Sequence, residues 1–191
     1  GLVVDFLDFG LGSARFWTLD PIDGTTNFAS ALPIFCVSIA FQYKSEERAG
    51  VVYVPMLDEM FHATAGNGAY LNGKRMQVSK DTDIGQCLVA TGFPYDRREC
   101  MNNNVDHFGK FILKARGIRR MGSAAVDLCY TAAGRLGGFW EPKLYAWDTA
   151  AGLLKVREAG GTVADFAGNR FNPFMKECLA SNGRIHNQMI E

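Results

Sequence analysis

The sequence predicts a layered α/β fold, with an α+β segregation of a sheet-rich half from an alternating half. Three observations predict it. In the first half, short apolar runs follow one another with only turn-forming residues between them, the pattern of an antiparallel sheet. In the second half, strand-like runs alternate with segments whose apolar residues recur at helical spacing. Hydrophobic residues make up 48% of the 191 residues and charged residues 21%, enough apolar material for one core or two small lobes sharing it.

The elements follow in chain order. Phe16 to Asp20 is a short apolar strand stopped by the turn Asp20-Pro21. Ile34 to Tyr43 is apolar almost throughout, which predicts a strand covered on both faces. Ser45 to Arg48 is a polar turn, and strands follow over Gly50 to Met56 and Glu59 to Thr64. Ala65 to Gly73 is rich in Gly and Asn and predicts tight hairpins. The second half opens with a strand at Gln86 to Thr91. A helix over Asp96 to Ala115 is predicted from the spacing of Phe108, Phe111, Ile112 and Ala115. Gly117 to Met121 is strand-like. Ser123 is a helix N-cap before Ala124 to Leu136, closed by Gly137-Gly138. Gly138 to Glu141 is a strand, and Asp148 begins a helix running to Glu158 and ended by Gly160-Gly161. Strands at Thr162 to Phe166 and Glu177 to Ala180 and a short terminal helix complete the chain. A boundary near Asp81 to Gly85 divides an N-terminal lobe, residues 1–85, from a C-terminal α/β lobe, residues 86–191.

Composition excludes some function classes. Lys plus Arg total 20 and Asp plus Glu total 20, so no global positive charge favours a nucleic-acid backbone. The longest apolar run, Ala31 to Phe41, is interrupted by Pro33 and Ser38 and falls short of a membrane span. Five cysteines (Cys36, Cys87, Cys100, Cys129, Cys178) are odd in number and form no CxxC pair. Free thiols in a reducing compartment, the cytoplasm, are the expectation. Gly1 to Phe6 has no basic segment ahead of its apolar residues and does not read as a signal peptide. The chain starts without Met, as a processed chain or a part of a longer one would.

Chemistry concentrates in Trp17-Thr18-Leu19-Asp20-Pro21-Ile22-Asp23-Gly24-Thr25-Thr26-Asn27-Phe28. Two carboxylates stand at the end of an apolar strand, with Pro21 stiffening the turn between them. Gly24 permits an unusual backbone angle or a close ligand approach. Thr25 and Thr26 offer hydroxyls and backbone N–H groups at a helix start, where anions bind. Carboxylates beside an anion site suggest a hard cation bridging to phosphate, and Mg²⁺ suits such oxygen ligands. A turn followed by a capped helix would use the same residue types. Other motifs fail by spacing. A haloacid-dehalogenase type phosphatase needs Asp where Pro21 stands, and an EF-hand needs Glu where Ala31 stands. Gly68 to Lys74 matches most of a P-loop, but Arg75 replaces the required Ser or Thr, and the stretch reads as a turn. A second constellation, Trp147-Asp148-Thr149-Ala150-Ala151-Gly152, places Asp148 at a helix N-terminus and small residues on a closely packing face. The histidines, His62, His107 and His186, are scattered and read as structural, as do the cysteines.

Together the two constellations closely resemble the signatures of the inositol monophosphatase family: W-x-x-D-P-x-D-G-T-x-N-F, then W-D-x-A-A-G followed by E-A-G-G at Glu158 to Gly161. Gly66 to Gly73 and Arg120 to Ala125 are also similar to that family, and the resemblance runs from about Phe16 to the C-terminus. It implies an αβαβα sandwich of the inositol monophosphatase and fructose-1,6-bisphosphatase type. It also implies a Mg²⁺-dependent, lithium-sensitive phosphomonoesterase, commonly a homodimer, with two or three Mg²⁺ ions replaceable by Mn²⁺. By that resemblance Asp20 bridges metals, the Ile22 carbonyl binds one, and Asp23 and Asp148 hold another. Gly24 and Thr25 contact the phosphate, and Thr25 helps orient the attacking water. Gly122, Ser123 and Ala124 line the alcohol portion of the substrate, and Glu141 hydrogen-bonds one of its hydroxyls.

The family pattern also carries a metal-binding Glu upstream of the first Asp. Residues 1–15 hold Asp5 and Asp8 but no Glu. The expectation is phosphatase turnover at least about a hundredfold below a relative that carries this Glu, since a positioned base is worth roughly 10²–10⁴ in rate. Thr26 and Asn27-Phe28 fit an inositol phosphatase. Alternatives are a fructose-1,6-bisphosphatase, a 3′-phosphoadenosine-5′-phosphate phosphatase, or a shortened chain acting as a binding or dimerisation protein.

Overall fold

The computed structural model describes residues 15–190; Asp5 and Asp8 lie outside the described residues. Two sheets organise the chain. Strands β1 (Arg15–Asp23), β2 (Cys36–Tyr43), β3 (Glu46–Val54), β4 (Glu59–Thr64), β5 (Ala69–Leu71) and β6 (Lys74–Arg75) form a six-stranded antiparallel sheet in chain order. The single-turn helix α1 (Thr25–Ala29) leaves β1 directly. The second sheet, in order β10-β11-β9-β7-β8, uses β7 (Leu88–Thr91), β8 (Gly117–Arg119), β9 (Gly138–Pro142), β10 (Thr162–Ala164) and β11 (Glu177–Ser181). Its β7 pairs are parallel and its β11 pairs antiparallel.

Helices α3 (Ala124–Ala132) and α4 (Ala146–Glu158) pack on each other and fill the space between the sheets. Helices α2 (Val105–Lys114) and α5 (His186–Ile190) pack on the second sheet, α2 through a stack of Phe111 on Trp140. The fold is layered α/β; among the described residues the layers run sheet, helix pair, sheet, helix. The main core joins residues of both sheets, such as Val52, Phe61, Phe139 and Cys178, to Leu128, Leu153 and Val156 of the two central helices. The small residues of α4 serve this packing, since a β-carbon on Gly152 would fall 2.6 Å from Leu128 Cβ.

The strands predicted from apolar runs are present, with shifted ends. Strand β3 begins at Glu46, so the turn of this hairpin is Lys44-Ser45, both at positive φ, and not the longer stretch to Arg48. Strand β2 is not covered on both faces: Cys36, Ser38, Ala40 and Gln42 are buried, and the residues between them are half-buried. Helix α2 starts at Val105 and not at Asp96, because a series of turns and the αL residue Asn104 (φ 73°) precede it. Helix α3 ends at Ala132, short of Leu136. The P-loop-like stretch is the β5–β6 hairpin, with Asn72 and Gly73 at its turn.

Candidate active site

Strand β1 does not stop at Pro21. It continues to Asp23 through a bulge: Asp20 lies opposite Ser38 and Asp23 opposite Cys36, so three steps on one strand face two on the other. Proline tolerates such a place because it has no N–H to give the ladder. The bulge brings Asp20 and Asp23 to one end of the sheet. Ser38 Oγ donates to the Trp147 carbonyl at 3.4 Å, which ties this end to the start of α4, where Asp148 stands. Carboxylate oxygens of Asp20, Asp23 and Asp148 all lie within 4.8 Å of one another.

Each carboxylate has a fixed anchor. Ile22 N–H donates to Asp20 Oδ1 at 3.0 Å. Asp23 Oδ2 accepts from Ser123 Oγ at 2.7 Å and from the Ala125 N–H at 2.8 Å, both at the N-terminus of α3. Asp148 is not the residue that begins α4; it is the third residue of the helix, and Oδ2 reaches back to the N–H of the N-cap, Tyr145, at 2.8 Å. Cys36 is more than a core thiol, for its Sγ lies 3.9 Å from Asp23 Oδ2 and 3.6 Å from Ser123 Oγ.

Gly24 turns the chain from β1 into α1 at φ 90°, a left-handed angle that favours glycine, and a β-carbon there would fall 3.0 Å from the Ile34 carbonyl. Asn27, buried, donates to the carbonyls of Ile34 and Met121, each at 2.7 Å. It clasps the Asp23–Thr25 turn to the segment that leads into Gly122 and Ser123. Thr25 is exposed at the first position of α1.

The electrostatics are those of an acidic centre awaiting a counter-charge. Burial pushes Asp148 up to about 7, and the Asp23 charge adds to this against the Tyr145 hydrogen bond. Burial pushes Asp23 up to about 6, with Ser123 and Ala125 pulling the other way. Asp20 is raised by burial and lowered less by Ile22. Two unit charges 4.8 Å apart repel by about 3 kcal/mol at an effective dielectric near 20. Three hard oxygen donors at this spacing, Asp23 buried and Asp20 and Asp148 half-buried, fit a divalent cation such as Mg²⁺, which would remove that repulsion.

A cleft of about 350 Å³ opens beside the cluster. Of the residues expected at the site, Asp23, Gly24, Gly122, Ser123, Ala124, Glu141 and Asp148 line it. Asp20 joins through the carboxylate cluster, while Ile22 and Thr25 sit on the turn at its edge. The Ser123 hydroxyl is occupied by Asp23 and by the Val126 N–H at 3.3 Å. Burial, with the charges of Asp148 and Asp23, pushes Glu141 up to about 8. Sequence reasoning missed the wall formed by Tyr95, Arg120, Lys143 and Tyr145, the buried Asp127, and the Asn27 clasp. Arg120 and Asn27 stood inside stretches already singled out, Asn27 without its clasping role; nothing local marks the others. His62 stacks on Tyr70, His107 meets Phe166 edge-on and His186 Nδ1 pairs with Ser181 Oγ, all away from the cleft.

A family model described as the inositol monophosphatase family matches residues 7–191. The "Nus factor SuhB" of Escherichia coli strain K12 is 45% identical over 174 residues, covering 91% of this chain and 65% of that protein. The "Fructose-1,6-bisphosphatase/inositol-1-monophosphatase" of Thermotoga maritima is 41% identical over 181 residues, covering 93% and 67%. The structure of inositol monophosphatase from Anabaena superposes with a TM-score of 0.92 at 39% identity, over 95% of this chain and 72% of that one. The chain thus spans about two thirds of the length of these relatives, slightly less in the Escherichia coli case.

Proposed function

Because the chain belongs to the inositol monophosphatase family, we propose that it hydrolyses the phosphate monoester of a small polyol, with inositol monophosphate the leading substrate. The observation that carries this reading is the convergence of Asp20, Asp23 and Asp148 beside a cleft that also holds Glu141. In this reading those carboxylates and the Ile22 carbonyl hold two or three Mg²⁺ ions, for which Mn²⁺ substitutes. The bound ions supply charge neutralisation for the phosphate and activation of the attacking water.

The chain's own groups do the rest. Gly24 offers its backbone to the phosphate from a left-handed turn where a side chain would press on the Ile34 carbonyl. Thr25 presents its hydroxyl to the attacking water, and Asp20 helps hold that water's side of the site. Ser123 and Ala125 fix one oxygen of Asp23. Gly122, Ser123 and Ala124 face the alcohol portion; with the Ser123 hydroxyl committed to Asp23, the contribution of Ser123 there is backbone and shape. Glu141, kept largely protonated near neutral pH by its burial, hydrogen-bonds a substrate hydroxyl. A homodimer in the cytoplasm completes the reading; all five cysteines are free, as a reducing compartment requires. The name of the Thermotoga maritima relative supports fructose 1,6-bisphosphate as a second substrate.

Phosphate release from inositol 1-phosphate, fructose 1,6-bisphosphate and phenyl phosphate tests this reading, with Mg²⁺ and with a chelator. Release that requires Mg²⁺ and favours inositol 1-phosphate is the expected result. Glu141→Ala should lower turnover of the two polyol phosphates and spare phenyl phosphate, which has no hydroxyl to read. Metal-independent release, or equal losses on all three substrates, would overturn it.

A further inference from the structure

One carboxylate in the cleft has no task in the chemistry proposed above. Asp127 lies in the first turn of α3, 1% exposed. Its Oδ1 is buried and has no hydrogen-bond partner among the described residues. The residue lines the same cleft as Arg120, Ser123, Ala124 and Glu141. Glu141 and Asp23 face it as like charges and Arg120 as the opposite one. Asp127 is not among the three carboxylates whose oxygens converge for a cation. A buried polar atom without a partner costs free energy, and in the wall of a cleft a ligand is one group that can complete it.

We propose that the Asp127 carboxyl hydrogen-bonds a hydroxyl on the alcohol portion of the substrate, separate from the hydroxyl bound by Glu141. The proposal rests on the phosphomonoesterase reading and deepens it: Asp127 is a specificity-determining residue, and the cleft reads two hydroxyls of a polyol phosphate. Glu141 packs against Gly92, where a β-carbon would collide with its carboxylate, so the absence of a side chain there leaves room for it. Asp127 comes from the first turn of α3, close in sequence to Ser123 and Ala124, and lines the same cleft. A substrate with hydroxyls on neighbouring carbons can reach both, with Arg120 the nearby cation. An aryl phosphate or glycol phosphate with one free hydroxyl cannot.

The test is calorimetric binding of inositol 1-phosphate and of inorganic phosphate to the 191-residue chain at saturating Mg²⁺, for the parent, Asp127→Ala and Asp127→Asn. Asp127→Ala should weaken inositol 1-phosphate about tenfold, the scale of one buried hydrogen bond. It should leave inorganic phosphate, which has no alcohol portion to offer, within about twofold of the parent. Asp127→Asn keeps an acceptor oxygen in place and should restore most of the lost affinity. The ligand-free thermal midpoint of Asp127→Ala should match or exceed the parent's, because an unpartnered buried carboxyl is gone. Unchanged affinity for inositol 1-phosphate overturns the proposal. Equal weakening of both ligands with a lowered midpoint overturns it in favour of a structural role. Failure of the parent to bind either ligand overturns the phosphatase reading itself, and the proposal with it.

Discussion

Replacing Asp148 by Asn in the metal-free protein should flatten the dependence of stability on pH. Burial and the Asp23 charge raise Asp148 from 3.8 to about 7 in the folded chain. A carboxyl with a raised folded pKa binds its proton more tightly when native than when unfolded. Stability is therefore greatest at low pH and falls as pH rises from the unfolded value towards the folded one. For a shift of this size the loss between pH 5 and pH 8 is about 2–3 kcal/mol from Asp148 alone. Asp23, raised to about 6, and Glu141, raised to about 8, act in the same direction. The amide introduced by Asp148→Asn would carry no charge at either pH and keeps an acceptor for the Tyr145 N–H, so the cap survives. Urea unfolding at the two pH values, with a chelator present, measures the difference. The parent should be the more sensitive protein by about 2 kcal/mol or more, and saturating Mg²⁺ should shrink its loss because the cation favours the ionised carboxylates. A parent more stable at pH 8 than at pH 5 without metal, or an Asp148→Asn slope equal to the parent's, would refute the electrostatic argument.

Two further outcomes concern the frame of the site. Asn27→Ala removes both donors to the Ile34 and Met121 carbonyls and should cost roughly 2–4 kcal/mol in urea unfolding, with weaker Mg²⁺ affinity as the Asp23 turn loosens. Lys155 is fully buried, its Nζ bonded to the Ala151 carbonyl, and burial lowers it from 10.5 to about 8. Below pH 8 the folded chain carries the penalty of a buried cation, so Lys155→Met should stabilise the protein by about 3 kcal/mol at pH 7. That gain should fade towards pH 10, and thermal or urea unfolding at the two pH values would register it.

The strands were legible because apolar runs between turn residues depend only on local pattern. Their ends were less so. The start of α2 depends on Asn104, whose side chain donates to Thr91 Oγ1 and the Gly92 carbonyl and accepts from Trp140 Nε1. Those partners come from two other strands, and no window around residue 104 reveals them. The bulge at Pro21 likewise depends on pairing with β2, where a local reading sees only a turn signal. At the site, the residue types around Asp20 and Asp23 suggest a cation beside a phosphate, whereas Asp148 by itself reads as a helix cap and joins them only through the family resemblance. Ser123 was read as a helix cap, which it is, but the bond from its hydroxyl to Asp23 spans a hundred positions. Asp127 looks like an ordinary first-turn acid until its burial in the cleft wall is seen. The converging carboxylates are marked by residue type; the groups packed around them are marked only by contact.

The central claim is that Asp20, Asp23 and Asp148 form one divalent-cation site. Isothermal titration of Mg²⁺ into the parent, Asp20→Asn, Asp23→Asn and Asp148→Asn at pH 6.5, in buffers of different ionisation enthalpy, tests it directly. The parent should bind Mg²⁺ and release protons as it does so, since Asp148 is partly protonated at that pH. Each single variant should bind at least about tenfold more weakly, one ligand's worth of charge and coordination. Variants that bind Mg²⁺ as tightly as the parent, or a parent that binds with no release of protons, would contradict the account.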